Sequence, residues 1–215
     1  MQRALTIRNI YNVREEYLPL KGVLAKVFGD QPPCGVWLIY GAEKNGKTTF
    51  ALKLANALSE IGRVLYVSAE QGTGVGFREI AVRAGIDIGN RNIHVIGEEP
   101  LDELDERLNR RRAANIVFID NVMMYEDEFR HGRLAAFLKN HRSKLLIFLA
   151  HETKDGEPHN PAAKLCKKRA NAIVRVRGMV AEVGGRGNAA GGSLIIDRPG
   201  AALVLGEQAV GDNLL

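Results

Sequence analysis

Eight consecutive residues have the types and spacing to hold a phosphate. Positions 41–48 read GAEKNGKT and match G-x-x-x-x-G-K-[ST] without a mismatch. Backbone N–H groups of such a loop point inward at phosphate oxygens, and the N-terminus of the following helix adds its positive end. Gly41 opens the loop, Asn45 lies within it, and Gly46 lets the backbone approach the anion closely. Lys47 places a point charge on the outer phosphates. The Thr48 hydroxyl is a hard oxygen ligand for Mg2+, and Thr49 neighbours the α-phosphate. A chance glycine turn needs no particular surroundings. This one follows an apolar strand-like run, 35–40, and opens a helical pattern, 48–60.

Three further apolar runs end in polar residues that suit the same chemistry. Run 115–120 is four apolar residues and then Asp120, a carboxylate able to hold Mg2+ from a second strand, with Asn121 next. Run 63–68 leads into Ala69 and Glu70, where a carboxylate can polarise an attacking water. Run 144–150 leads into His151 and Thr153, the candidates for contact with a terminal phosphate. Taken singly, each has an ordinary reading as a turn aspartate, a loop glutamate or a solvated histidine. Placement at strand carboxyl ends, where open α/β sheets bind ligands, favours the chemical reading.

The elements that must position these residues follow from periodicity. Runs 35–40, 63–68, 115–120, 144–150 and 172–177 are mostly apolar rather than alternating, which predicts strands covered on both faces. Helical patterns lie between them at 48–60, 77–84, 101–112 and 132–140. The expected fold class is α/β: a mostly parallel central sheet flanked by helices, with C-terminal antiparallel strands. Those late strands are read at 179–183, 193–197 and 202–205, with a turn at 198–200. A short helix is expected within 19–28. The expected organisation is an N-terminal segment, 1–30, able to dock on a neighbouring subunit, a main domain, 31–207, and a tail, 208–215.

Composition narrows the class. Of 215 residues, 46% are hydrophobic and 26% charged, as in ordinary globular proteins, which excludes a disordered or fibrous chain. No apolar run approaches the roughly 20 residues of a membrane span, and no secretory signal opens the chain. Two cysteines, Cys34 and Cys166, form no CxxC pair, and the expected setting is the reducing cytoplasm. Thirty Lys and Arg against 25 Asp and Glu leave a net charge of +5, which permits nucleic-acid binding without requiring it.

Residues 36–156 resemble the ATPase core of RecA/RadA-like proteins, in outline the short RecA-like ATPases of bacterial phages and mobile elements. The resemblance rests on 39–50 (IYGAEKNGKTTF), 62–70 (GRVLYVSAE), 117–120 (VFID) and 151–156 (HETKDG). Residues 184–188 (GGRGN) faintly resemble the later Lys-Asn-Arg-Phe-Gly motif of RadA. Where RadA loops usually carry Pro-Gly, this chain has Lys44 and Asn45. The resemblance implies a RecA-like P-loop NTPase fold using ATP and Mg2+. It assigns catalysis to Lys47, Glu70, Asp120 and His151 and the metal to Thr48 and Asp120. It also implies a homo-oligomeric ring or filament on DNA, single strands favoured, in which Arg186 reaches a neighbour's nucleotide. In such rings the region holding Lys164, Lys167, Lys168 and Arg169 lines the channel. Two other classes share the loop, a nucleotide switch without turnover and a small-molecule P-loop kinase.

Overall fold

Strands that are apolar on both faces require cover on both faces, and the computed structural model is built accordingly. It describes residues 4–185, 191–206 and 214–215. In chain order the elements begin with α1 (Ile7–Tyr11), α2 (Gly22–Phe28), β1 (Gly35–Gly41), α3 (Lys47–Leu58), β2 (Val64–Ser68), α4 (Val75–Arg83) and β3 (Ile93–Ile96). Next come α5 (Leu101–Asn109), β4 (Ile116–Asp120), a 3-10 turn (Val122–Tyr125), α6 (Arg133–Asn140) and β5 (Leu145–His151). The chain continues through α7 (Pro161–Arg169), β6 (Ala172–Arg177), β7 (Val180–Gly185), β8 (Gly192–Ile195) and α8 (Arg198–Leu205).

The strands form one sheet in the order β3-β2-β4-β5-β1-β6-β7-β8. Pairing is parallel from β3 to β6 and antiparallel from β6 to β8. Alternate residues of each central strand enter opposite layers. Trp37, Ile39, Tyr66, Phe118 and Ile147 pack with α2, α3 and α4. Leu38, Tyr40, Val117, Ile119 and Phe148 pack with α5, α6, α7 and the 3-10 turn. Register aligns the strand ends: Ser68 lies beside Asp120 and Gly41 beside His151. Residues that follow β2, β4, β5 and β1 are therefore gathered along one rim.

Several sequence expectations change at the periphery. The apolar run 202–205 is not a strand but the end of helix α8. The 198–200 turn is that helix's first turn: Asp197 caps it by accepting from the Gly200 N–H at 2.8 Å, with Pro199 in a position that needs no N–H donor. Helix α7 was read only as a basic run; Asn160 caps it, accepting from the Ala163 N–H. Helix α5 stops at Asn109, so the arginines 110–112 lie beyond it. The four-residue edge strand β3, with exposed His94 between Ile93 and Val95, is too short to signal itself in the sequence. The segment 1–30 divides: α2 buries Leu24, Val27 and Phe28, while α1 buries nothing. No helix among the described residues is long and apolar enough to cross a membrane.

Helix α2 is held by Phe28, whose ring stacks on Trp37 of β1 with centroids 4.7 Å apart. Both are fully buried, whereas Leu203 of α8 is 88% exposed. Phe28→Ala should cost about 3–5 kcal/mol and Leu203→Ala less than about 0.5 kcal/mol in urea unfolding. Equal losses would show that α2 is not part of the core.

Candidate functional site

The loop between β1 and α3 is shaped by close backbone approaches. A Cβ at Gly41 would overlap the Val176 carbonyl oxygen of β6, so no larger residue fits there. Gly46, the residue before α3, has φ +97°, a conformation that side-chain-bearing residues rarely adopt. A Cβ on it would also run into the Met179 sulfur. The Met179 N–H donates to the Asn45 carbonyl at 3.2 Å. The Gly178 N–H donates to Asn45 Oδ1 at 2.7 Å. The tight turn joining β6 to β7 thus braces the loop from outside. Asn45, expected at the phosphate, has its side-chain oxygen committed to that brace.

Lys47 is almost completely buried, and its Nζ donates to the Ala42 carbonyl at 2.8 Å across the loop. Burial pushes the ammonium below its ordinary pKa, while the charges of Asp120 and then Glu70 pull it back. The Thr48 hydroxyl donates to Asp120 Oδ2 at 3.0 Å. A second hydroxyl, Tyr66 of β2, donates to the same oxygen at 2.7 Å. Tyr66 is fully buried, and burial with the adjacent carboxylate pushes its phenol far up, so it stays a donor. Thr49 lies half-buried in the first turn of α3.

Asp120 is 4% exposed. Burial pushes its carboxyl up to about 6, against the hydrogen bonds from Tyr66 and Thr48. Glu70, just beyond β2, has its N–H bonded to the Asp120 carbonyl at 3.1 Å. Its Oε2 accepts from Asn121 Nδ2 at 3.0 Å, and its Oε1 lies 3.5 Å from His151 Nε2. His151 Nδ1 is buried with no hydrogen-bond partner among the described residues. The geometry therefore brings together Lys47, Thr48, Asp120, Glu70 and His151, from four neighbouring strand ends. Sequence reasoning left Tyr66 unassigned and gave Asn121 no partner. Tyr66 sat inside an apolar run, where nothing marks a hydroxyl as a partner. Asn121, next to Asp120, reads from sequence as able to sense the same region, and its contact with Glu70 is not foreseen.

The loop after β5 is fastened at both ends. Arg175 Nε donates to Glu152 at 3.0 Å, and the Thr153 N–H donates to the Glu157 carbonyl at 2.7 Å. Lys167 Nζ donates to both Glu157 oxygens, at 2.9 and 2.8 Å, and stands 5.3 Å from the Tyr40 ring centroid. Of the four basic residues expected on a nucleic-acid path, Lys167 is thus drawn into a surface ion pair with Glu157. Lys164, Lys168 and Arg169 are exposed on α7. Arg186 lies outside the described residues.

The donor set suits a small hard cation: one hydroxyl and one carboxylate, side by side at the head of α3. No group of three His, Cys, Asp or Glu side chains able to hold a metal exists among the described residues. A divalent ion here would take its other ligands from phosphate oxygens and water.

No family model matches the chain. Half of it is similar to curated RecA proteins. It is 31% identical over 119 residues to Protein RecA of Sulfurimonas denitrificans, covering 50% of this chain and 33% of that one. It is 34% identical over 102 residues to Protein RecA of a Nitratiruptor species, covering 46% and 28%. The figure for Protein RecA of Nautilia profundicola is 35% over 102 residues, with the same shares. The chain thus spans about a third of the length of these relatives. This similarity supports a RecA-like core, and the α/β sheet described above is consistent with it.

The buried Asp120 sets a measurable linkage. Unfolded, it ionises near 4. Folded, it ionises near 6. The native state therefore keeps its proton longer, and Asp120 lowers native stability as pH rises from about 4 to about 6, with the cost constant above that window. In metal-free protein, Asp120→Asn should be more stable than the parent at pH 7 by on the order of 2 kcal/mol. The difference should shrink as pH falls to 4. A variant less stable at pH 7 would show that the carboxylate is not strained by burial.

Proposed function

We propose that this chain binds ATP with Mg2+ and hydrolyses it, as a RecA/RadA-like ATPase working on DNA. The observation that carries the reading is the contact between the Thr48 hydroxyl and the buried Asp120 carboxylate at the head of α3, with Glu70 beside it. The partial similarity to RecA proteins supports it.

Within this reading, the N–H groups of 41–48 receive the phosphates, and Lys47 exchanges its bond to the Ala42 carbonyl for a phosphate oxygen. Thr48 and Asp120 would hold Mg2+, which when bound neutralises charge on the phosphates. Glu70 orients and deprotonates the attacking water, its side chain 42% exposed and so open to solvent. His151, together with Thr153 just beyond it, stands where it can report loss of the terminal phosphate to the loop after β5. The reading extends to a cytoplasmic homo-oligomer in recombination or replication. There a basic residue of a neighbouring copy, Arg186 or one from the α7 run, completes each site. Lys164, Lys168 and Arg169 then follow a single DNA strand by charge.

Steady-state ATP hydrolysis with and without single-stranded DNA, over a range of protein concentrations, tests this. Turnover should rise with DNA and more steeply than linearly with protein. Glu70→Gln should keep nucleotide affinity within about twofold and lose roughly 100-fold or more in kcat. Tight binding of ATP with no turnover under any condition would make the chain a nucleotide switch, and phosphoryl transfer to a nucleoside would make it a kinase. Either result rejects the hydrolase.

A further inference from the structure

Asn121 is 2% exposed, and its two side-chain atoms have different fixed partners. Its Oδ1 accepts the Met123 N–H at 2.9 Å, as the cap of the 3-10 turn. That bond settles which end of the carboxamide is which, because an N–H can meet only the oxygen. The amide nitrogen is therefore aimed at Glu70 Oε2, 3.0 Å away. Glu70 itself is 42% exposed at the side chain. Beyond the Asn121 bond, among the described residues the looser 3.5 Å approach of His151 Nε2 meets the carboxylate on its other oxygen. The 3-10 turn that orients Asn121 is itself seated by Val122 and Tyr125, both fully buried. The Tyr125 hydroxyl donates to the Glu99 carbonyl at 2.8 Å.

From this geometry we infer that Asn121 is a positioning residue for Glu70. Its rigid carboxamide holds one carboxylate oxygen so that the other is presented beside His151. The inference rests on the hydrolase reading for its consequence and on the apo geometry for its existence. A carboxylate that orients water must be held to within about 0.5 Å, and a misplacement of about 1 Å costs on the order of 100-fold in rate. A flexible, half-exposed glutamate does not meet that tolerance unaided. A buried donor whose own orientation is dictated by a backbone N–H supplies the restraint.

The competing account is that Asn121 serves the 3-10 turn alone. Asn121→Asp separates the two, because aspartate caps as well as asparagine but has no N–H and sets a second negative charge against Glu70. With Mg2+-ATP, the variant should lose about 10- to 100-fold in kcat, with KM within about threefold, while the buried charge lowers the thermal midpoint without unfolding the protein at assay temperature. In a Glu70→Gln background the same substitution should cost almost nothing further, because the group it positions is already inactive. A crystal structure of the nucleotide-free variant should show Glu70 turned away from His151 or split between rotamers, while the parent keeps the separation near 3.5 Å. Unchanged kcat in Asn121→Asp, or an unmoved Glu70, overturns the inference. If the parent protein proves unable to turn over ATP and Glu70 still moves in the variant, the hydrolase reading falls and the positioning contact stands.

Discussion

A carboxylate buried at the end of a central strand is the constraint on which this structure turns. Asp120 is removed from water, and a bare charge there is costly. The protein meets that cost with two hydroxyl donors on one oxygen, Tyr66 from the neighbouring strand and Thr48 from the head of α3. Three segments far apart in sequence are thereby tied at one atom. The sheet order makes this possible, because β2 and β4 are adjacent and in register at Ser68 and Asp120.

The antiparallel end of the sheet works for the parallel middle. The β6–β7 turn places Gly178 and Met179 against Asn45 and Gly46, and the β6 backbone closes over Gly41. A loop with glycines at both ends has much freedom to lose, and these contacts restrain it before any ligand arrives. The late hairpin, which looked like a peripheral addition in the sequence, is a wall of the loop.

Charge is distributed differently in space than along the chain. The run 164–169 reads as a basic tract, yet Lys167 pairs with Glu157 at the surface and stands near the Tyr40 ring, while Arg175 of β6 pairs with Glu152. Both pairs fasten the loop that begins at His151. On a helix, residues one apart point in different directions, so adjacent lysines have different fates.

The central strands, the helix after the 41–48 loop and the tight shape of that loop were legible in the sequence, because each is written locally: uninterrupted apolar runs, helical spacing, and a motif with glycines at fixed places. The carboxylates at positions 70 and 120 were legible as ends of such runs. The edges were not. The run 202–205 is apolar enough for either a strand or a helix, and a cap at Asp197 three residues from Gly200 decided for the helix. The partners of the site were not legible either. Tyr66 reads as one more apolar strand residue, and Asn121 as a neighbour of Asp120. Their roles depend on strand order and register, which bring position 66 to position 120 and position 121 to position 70. Such pairings are set by packing across the whole sheet, and no local pattern encodes them.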